Sequence, residues 1–195
     1  MMFGGLTGTE AGNLATALRR RDPAVIELLI DRYQYRLMRY LLSLVDNRAS
    51  AEDLFQETWI RVLEHGDQFD GRSEFAPWLF KIARNLLIDR MRRRKPSVSI
   101  EGMGEAALFE EKNAPSMQGA LSQLDRVARQ EERERIAAAL AGIPVTHREV
   151  LALRFQEDMA LEEIAKVVNA PVSTVKSRLY RGLEMLRARL EEFQQ

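Results

Sequence analysis

LEEIAKVVNAPVSTVKSRLYR, residues 161–181, holds two amphipathic helical patterns separated by a short turn. In the first, Leu161, Ile164, Ala165 and Val168 share one face at helical spacing. Asn169 suits the left-handed conformation that a tight turn needs, and Pro171 discourages continuation of the first helix. In the second, Val172, Val175, Leu179, Leu183 and Leu186 point to a core, while Lys176, Ser177, Tyr180, Arg181 and Glu184 fall on the opposite side. An α-helix fits the DNA major groove, where Lys or Arg donates to guanine O6 and N7. Thr174 and Arg178 are better placed for phosphates, which position a protein without reading sequence. The stretch predicts a DNA-binding helix-turn-helix.

Helical periodicity extends outward through the chain, and no strand-like alternation stands out. Residues 24–46 carry Val25, Ile26, Leu29, Tyr33, Leu37, Tyr40, Leu41 and Leu44, then the turn pair Asp46-Asn47. Ser50 and Asp53 resemble a capping box for a helix with Ala51, Leu54, Phe55, Thr58, Trp59, Val62 and Leu63 on one face. A polar loop, Gly66 to Gly71, leads to a third helix beginning near Ser73 to Pro77. Its apolar face is Phe75, Trp78, Leu79, Ile82, Leu86 and Leu87, and Lys95-Pro96 ends it. Helicity resumes near Leu124 to Ala141, and Gly142-Ile143-Pro144 breaks it. Thr146 and Glu149 form a second capping-box pattern, for a helix reaching about Phe155. The expected architecture is all-α, with two small helical domains on a flexible linker. Residues 1–23 read as a mobile segment, 24–96 as the first domain, 97–130 as an acidic linker and 131–195 as the helix-turn-helix domain.

The 195-residue chain has a formal net charge of zero, so attraction to phosphate must come from local clusters. From Lys81 to Lys95 seven basic residues face one acid, Asp89; from Ser97 to Glu134 acids prevail. Cysteine is absent, which rules out disulfides and thiolate metal sites and fits a cytoplasmic location. No apolar run is long enough for a membrane span, and the first residues lack a secretory pattern. The histidines, His65 and His147, have no metal-ligand or triad partner at suggestive spacing, and no Gly-rich phosphate loop is evident. Catalysis, metal and cofactor are therefore not expected.

AEDLFQETWIRVLEH, from residue 51, resembles the region 2.2 helix of sigma-70 factors, and FDGRSEFAPWLFKIARNLLIDRMRRR, from residue 69, resembles regions 2.3 and 2.4 of the small extracytoplasmic function (ECF) group. With the helix-turn-helix as region 4, the resemblance covers about residues 24–96 and 133–190. It implies a subunit lending promoter specificity to bacterial core RNA polymerase. Asp53, Gln56 and Glu57 would then dock on the polymerase clamp. Phe69 and Asn85 would line a pocket for an unstacked −10 base, and Lys81, Arg84 and Arg90 would hold the strand. Thr174, Lys176, Ser177, Arg178, Tyr180 and Arg181 would meet the −35 duplex. The resemblance also implies an anti-sigma factor as partner. Two departures bear on DNA contacts: Asp70 stands where arginine often follows the phenylalanine, and Lys176 where arginine is common, so bidentate guanine readout is weakened. The competing expectations are a stand-alone helix-turn-helix regulator outside polymerase, and a helical adaptor that binds polymerase without reading DNA.

Overall fold

The computed structural model describes residues 8–45, 47–94, 132 and 135–192; the expected linker lies outside them. Every regular element among the described residues is helical, as expected. The N-terminal half comprises α1 (Gly8–Arg19), α2 (Pro23–Leu42), α3 (Arg48–His65), a 3-10 turn (Gly66–Gln68) and α4 (Phe75–Arg94). In the C-terminal half residues 135–141 are helical, followed by α5 (Val145–Leu151), a π-helical turn (Ala152–Gln156), α6 (Leu161–Val168) and α7 (Val172–Glu192).

Local chemistry sets the helix starts. Asp22 caps α2 by accepting from the Ala24 amide at 3.0 Å, with Pro23 in the first turn, where its missing N–H costs nothing. Asn47, not Ser50, caps α3: its side chain accepts from the Ser50 amide at 2.8 Å, and the helix begins at Arg48. The Ser50–Asp53 box is therefore not the cap, because Asn47, an equally good capping residue, stands three positions earlier and Ser50 is already inside the helix.

The N-terminal core is built from Leu29, Tyr33, Leu37, Tyr40 and Leu41 of α2, Ala51, Leu54, Trp59 and Val62 of α3, and Phe75, Leu79, Ala83 and Leu86 of α4. Leu63, expected on the apolar face of α3, is exposed. Residues 8–19, expected to be part of a mobile segment, form α1 and bury Ala11, Leu14, Ala15 and Leu18 against the loop after α3. Gly71 explains the fit. Its φ is 71°, and a Cβ there would meet the Ala11 carbonyl oxygen at 2.7 Å, so only glycine lets the loop lie against α1.

In the C-terminal domain the Arg148 guanidinium donates to the carbonyls of Ala141 at 2.9 Å and Leu140 at 3.3 Å, closing the end of the preceding helical segment. A Cβ at Gly182 would meet Leu151 Cδ1 at 3.1 Å, so this glycine lets α7 pass close to α5. The Thr146–Glu149 capping box does not form. Pro144 precedes α5 without a side-chain cap, and the Glu149 carboxylate is drawn away to the other domain. The helix-turn-helix forms as expected: Asn169 is left-handed (φ 47°, ψ 54°), and the Ala170 amide donates to Ala165 O at 3.1 Å. The Ala160 amide donates to Glu163 at 2.8 Å, tying the start of α6.

The two domains pack together, α6 on α4 and the π-helical turn on α2. Arg84, bonded to Glu149 across this contact, and Phe80, stacked edge-on against Tyr40 of α2, are buried on a second face of α4 that period-3.6 reading left out of the core.

Candidate nucleic-acid interface

The recognition helix α7 presents Lys176, Ser177, Tyr180 and Arg181 to solvent, with Tyr180 66% exposed. Thr174 and Arg178 are half-buried and line a concave surface with Pro144, Thr146, His147, Ser173, Ser177 and Arg181. Ser173 joins the surface from α7 itself, and Thr146 and His147 join it through tertiary packing of α5 on α7, which spacing along one helix could not reveal.

On α4 the five residues expected at the −10 strand have different environments. Lys81 and Asn85 are exposed. Arg90 is half-buried and donates to Asp53 at 2.8 Å, so a residue expected to hold DNA is paired with one expected to hold polymerase. Arg84 is 9% exposed and donates through Nε to Glu149 Oε1 at 2.8 Å. Phe69, expected to line the pocket, is 1% exposed. Its ring packs on Phe75 (centroids 5.6 Å apart) and half-buried Trp78 (5.4 Å), beneath the loop.

The contact between domains is polar at its centre. Tyr40 donates its hydroxyl to Glu149 Oε1 at 2.9 Å, and Arg84 donates to the same oxygen. Burial pushes the Glu149 carboxyl above its ordinary value, against the opposing pull of Arg84, Tyr40 and Arg178. Burial, helped by Glu149, pushes the Tyr40 phenol well above its own, so it remains a donor. A second acid, Glu157, has a fully buried side chain and accepts from Arg36 Nε at 2.7 Å and Arg39 Nη2 at 3.2 Å. Arg36 is also steered by the Tyr33 ring, 5.1 Å from its guanidinium carbon. Beside Arg84 lies a cleft lined from α4 by Arg84, Asn85, Ile88, Asp89 and Arg92, and from the other domain by Val168, Asn169, Ala170 and Arg178. The two expected DNA-reading surfaces thus meet at one cleft.

On α3, Asp53 and Gln56 are exposed and Glu57 is half-buried. The same face continues at helical spacing into Ile60 (52% exposed) and Leu63. Acidic and amide groups beside uncovered apolar side chains suit a protein partner better than bulk water. Among the described residues no cluster of His, Cys, Asp and Glu could hold a metal ion, and no helix is long and apolar enough to cross a membrane.

Comparison with known proteins agrees with this layout. The sigma-70 region 2 model matches residues 29–96, and the sigma-70 region 4 model matches residues 133–186. The chain is 31% identical over 179 residues to the ECF RNA polymerase sigma factor SigW of Bacillus subtilis, covering 90% of this chain and 94% of that protein. It is 34% identical over 167 residues to SigX of the same organism, covering 85% and 83%. Its fold is similar to that of the sigma factor RpoE from Bartonella quintana, solved in complex with the anti-sigma factor NepR. That similarity has a TM-score of 0.65 at 23% identity, over 85% of this chain and 96% of that one. The helix-turn-helix, the helical domain before it and the full-length match to ECF factors place the chain in the ECF group of the sigma-70 family, the subunits through which RNA polymerase initiates transcription at specific promoters.

Proposed function

We propose that α7 reads the −35 element as duplex through Lys176, Ser177, Tyr180 and Arg181, with Thr174 and Arg178 on phosphates. The observation that carries this is the exposed basic face of a helix whose other side is packed on α5. Thr146, His147 and Ser173 border the same concavity and add polar contacts to the backbone. Asn85 and Lys81, exposed on α4, meet the −10 strand. Arg84 and Arg90 join them once released from Glu149 and Asp53, while Phe69 and Trp78 shape the loop beneath. Asp53, Gln56 and Glu57, with Ile60 and Leu63, form the face that docks on core polymerase. Such a chain works in the cytoplasm beside its polymerase, without chemistry of its own. An anti-sigma factor is its expected restraint, by analogy with the Bartonella complex.

The test is run-off transcription with bacterial core polymerase on a pool of promoter fragments. Discrete transcripts should appear only when the chain is added. They should vanish with Asp53→Arg, with Asn85→Ala, and with Lys176→Ala combined with Arg181→Ala. Comigration with core that yields no transcript would instead fit an adaptor, and absence of both would leave a stand-alone regulator.

A further inference from the structure

The loop between α3 and α4 holds itself in place at few points. From Asp67 to Glu74 the buried side chain is that of Phe69, while Asp67, Gln68, Asp70, Arg72, Ser73 and Glu74 are exposed. Within the loop the Asp70 carboxylate accepts from the Arg72 amide at 2.9 Å, and the Phe69 amide donates to the Gly66 carbonyl at 3.3 Å. One buried ring and these local hydrogen bonds do not by themselves fix a polar loop.

The remaining support comes from α1, which lies before the residues matched by the region 2 model. Its Ala11, Leu14, Ala15 and Leu18 form one buried stripe at helical spacing. The stripe meets the loop at both ends. A Cβ on Gly66 would lie 3.2 Å from Leu18 Cβ and from the Leu18 carbonyl oxygen. At Gly71 a Cβ would lie 2.7 Å from the Ala11 carbonyl oxygen and 3.2 Å from Ala15 Cβ. Backbones come this close only where glycine stands in the loop and small residues stand opposite. The loop is thus gripped from two sides, by α1 along its backbone and by Phe75 and Trp78 on the Phe69 ring. An extruded base gives up about a few kcal/mol of stacking and pairing, so the loop that receives it gains from being formed beforehand. Slack of about 0.5 Å is enough to spoil such a fit.

We infer, on the reading of this loop and α4 as the −10 surface, that α1 is a positioning element for −10 recognition. Seated against Gly66 and Gly71, it fixes the shape in which the loop receives the unstacked base, and so sets how sharply the −10 sequence is discriminated. Leu18 and Ala15 are the positioning residues; both are buried and act through the loop backbone.

The test uses the full chain with core polymerase, one promoter from the run-off pool, and copies of that promoter with single base changes in the −10 or the −35 element. Leu18→Ala removes apolar contact that seats α1, Ala15→Leu crowds the approach to Gly71, and Leu18→Met keeps an apolar side chain of similar size. Circular dichroism sets a temperature at which every variant keeps the parent's helicity. With Leu18→Ala and with Ala15→Leu, the ratio of transcript from the native −10 element to that from the altered ones should fall about tenfold, most of the discrimination that one base pair supplies. The same ratio for the −35 changes should stay at the parental value, and Leu18→Met should keep both. Transcripts that fall together, with both ratios unchanged, would mean that α1 serves stability alone and would overturn the inference. An equal fall in both ratios would overturn it too. Hydrogen exchange on the free chain separates the brace from the sigma reading: amides of residues 66–72 should exchange about tenfold faster in Leu18→Ala than in the parent, with those of 51–62 unchanged. Unchanged exchange at 66–72 would overturn the brace itself. A parent chain that yields no transcript on any template would remove the sigma reading, and the specificity role with it, even where exchange shows α1 holding the loop.

Discussion

Glu149 shows how one side chain can be misread from its neighbours. Thr146 and Glu149 have capping-box spacing, and nothing local distinguishes that pattern from a real cap. The partners that claim the carboxylate are Tyr40, 109 residues away, and Arg84, 65 residues away, so only the assembled fold reveals the role. Replacing Glu149 by Ala leaves Arg84 buried without its acceptor. Loss of one partner from such a pair costs about 3–5 kcal/mol, which urea denaturation of the full chain should register, with Glu149→Gln losing less because it retains an acceptor for Tyr40. The pH dependence has a definite sign. The groups facing Glu149 are Arg84, Tyr40 and Arg178, and burial outweighs them, so the carboxyl is raised above its ordinary 4.5. A raised carboxyl binds its proton more tightly with the domains packed together than with them apart. Its contribution to that packing is complete below 4.5 and is lost as pH rises through the raised value. Interdomain distances followed across that window should lengthen with pH, and Glu149→Gln should remove that part of the dependence. A different residue-scale constraint operates at Gly71. Ala there must hold a positive φ and bring Cβ to 2.7 Å from Ala11 O, so Gly71→Ala should lower stability by about 1–3 kcal/mol in the same assay.

Among the elements, legibility followed how local the determining chemistry was. The helix-turn-helix was readable because Asn169 and Pro171 fix its turn and the apolar spacing on either side fixes its faces. The two-domain helical plan was readable for the same reason. By contrast α1 was missed: its buried set is two alanines and two leucines, and its docking depends on a loop some 50 residues later. Leu18→Ala should test that docking, since Leu18 is 2% exposed; a loss of about 2–5 kcal/mol in denaturant titration is expected, where a mobile segment would show none. Phe69 was legible as an aromatic needing a partner, but not as one whose partners are Phe75 and Trp78. On α7, contacts divide by type. Arg178→Ala should weaken duplex binding evenly across sequences and lower the slope of log affinity against log salt by about 0.9, the value of one phosphate contact. Lys176→Ala should instead change which −35 sequences are preferred, as selection from a randomised duplex pool would reveal.

Across the whole molecule, the neutral net charge and the contact between domains have a common consequence. With no excess of positive charge, the free chain lacks long-range attraction to DNA, and three of its cations, Arg36, Arg39 and Arg84, are already turned inward on Glu157 and Glu149. Two modest readers become effective when polymerase holds them apart at the spacing of the promoter, because the second contact is then intramolecular. The contact between domains should also be visible in how the chain melts. Each domain contributes its own buried apolar residues, Leu37, Leu41 and Leu54 from one and Val150, Leu153 and Ile164 from the other, and these join in one continuous cluster across the contact. The buried pairs couple them, since unfolding one domain strands charges in the other. Calorimetry of the parent chain should therefore show one dominant heat-absorption peak, and the Glu149→Lys, Glu157→Arg variant should show two, with the less stable domain melting first and total helicity before melting unchanged. Two resolved peaks in the parent would mean that the acids contribute no coupling and that the domains meet without holding each other.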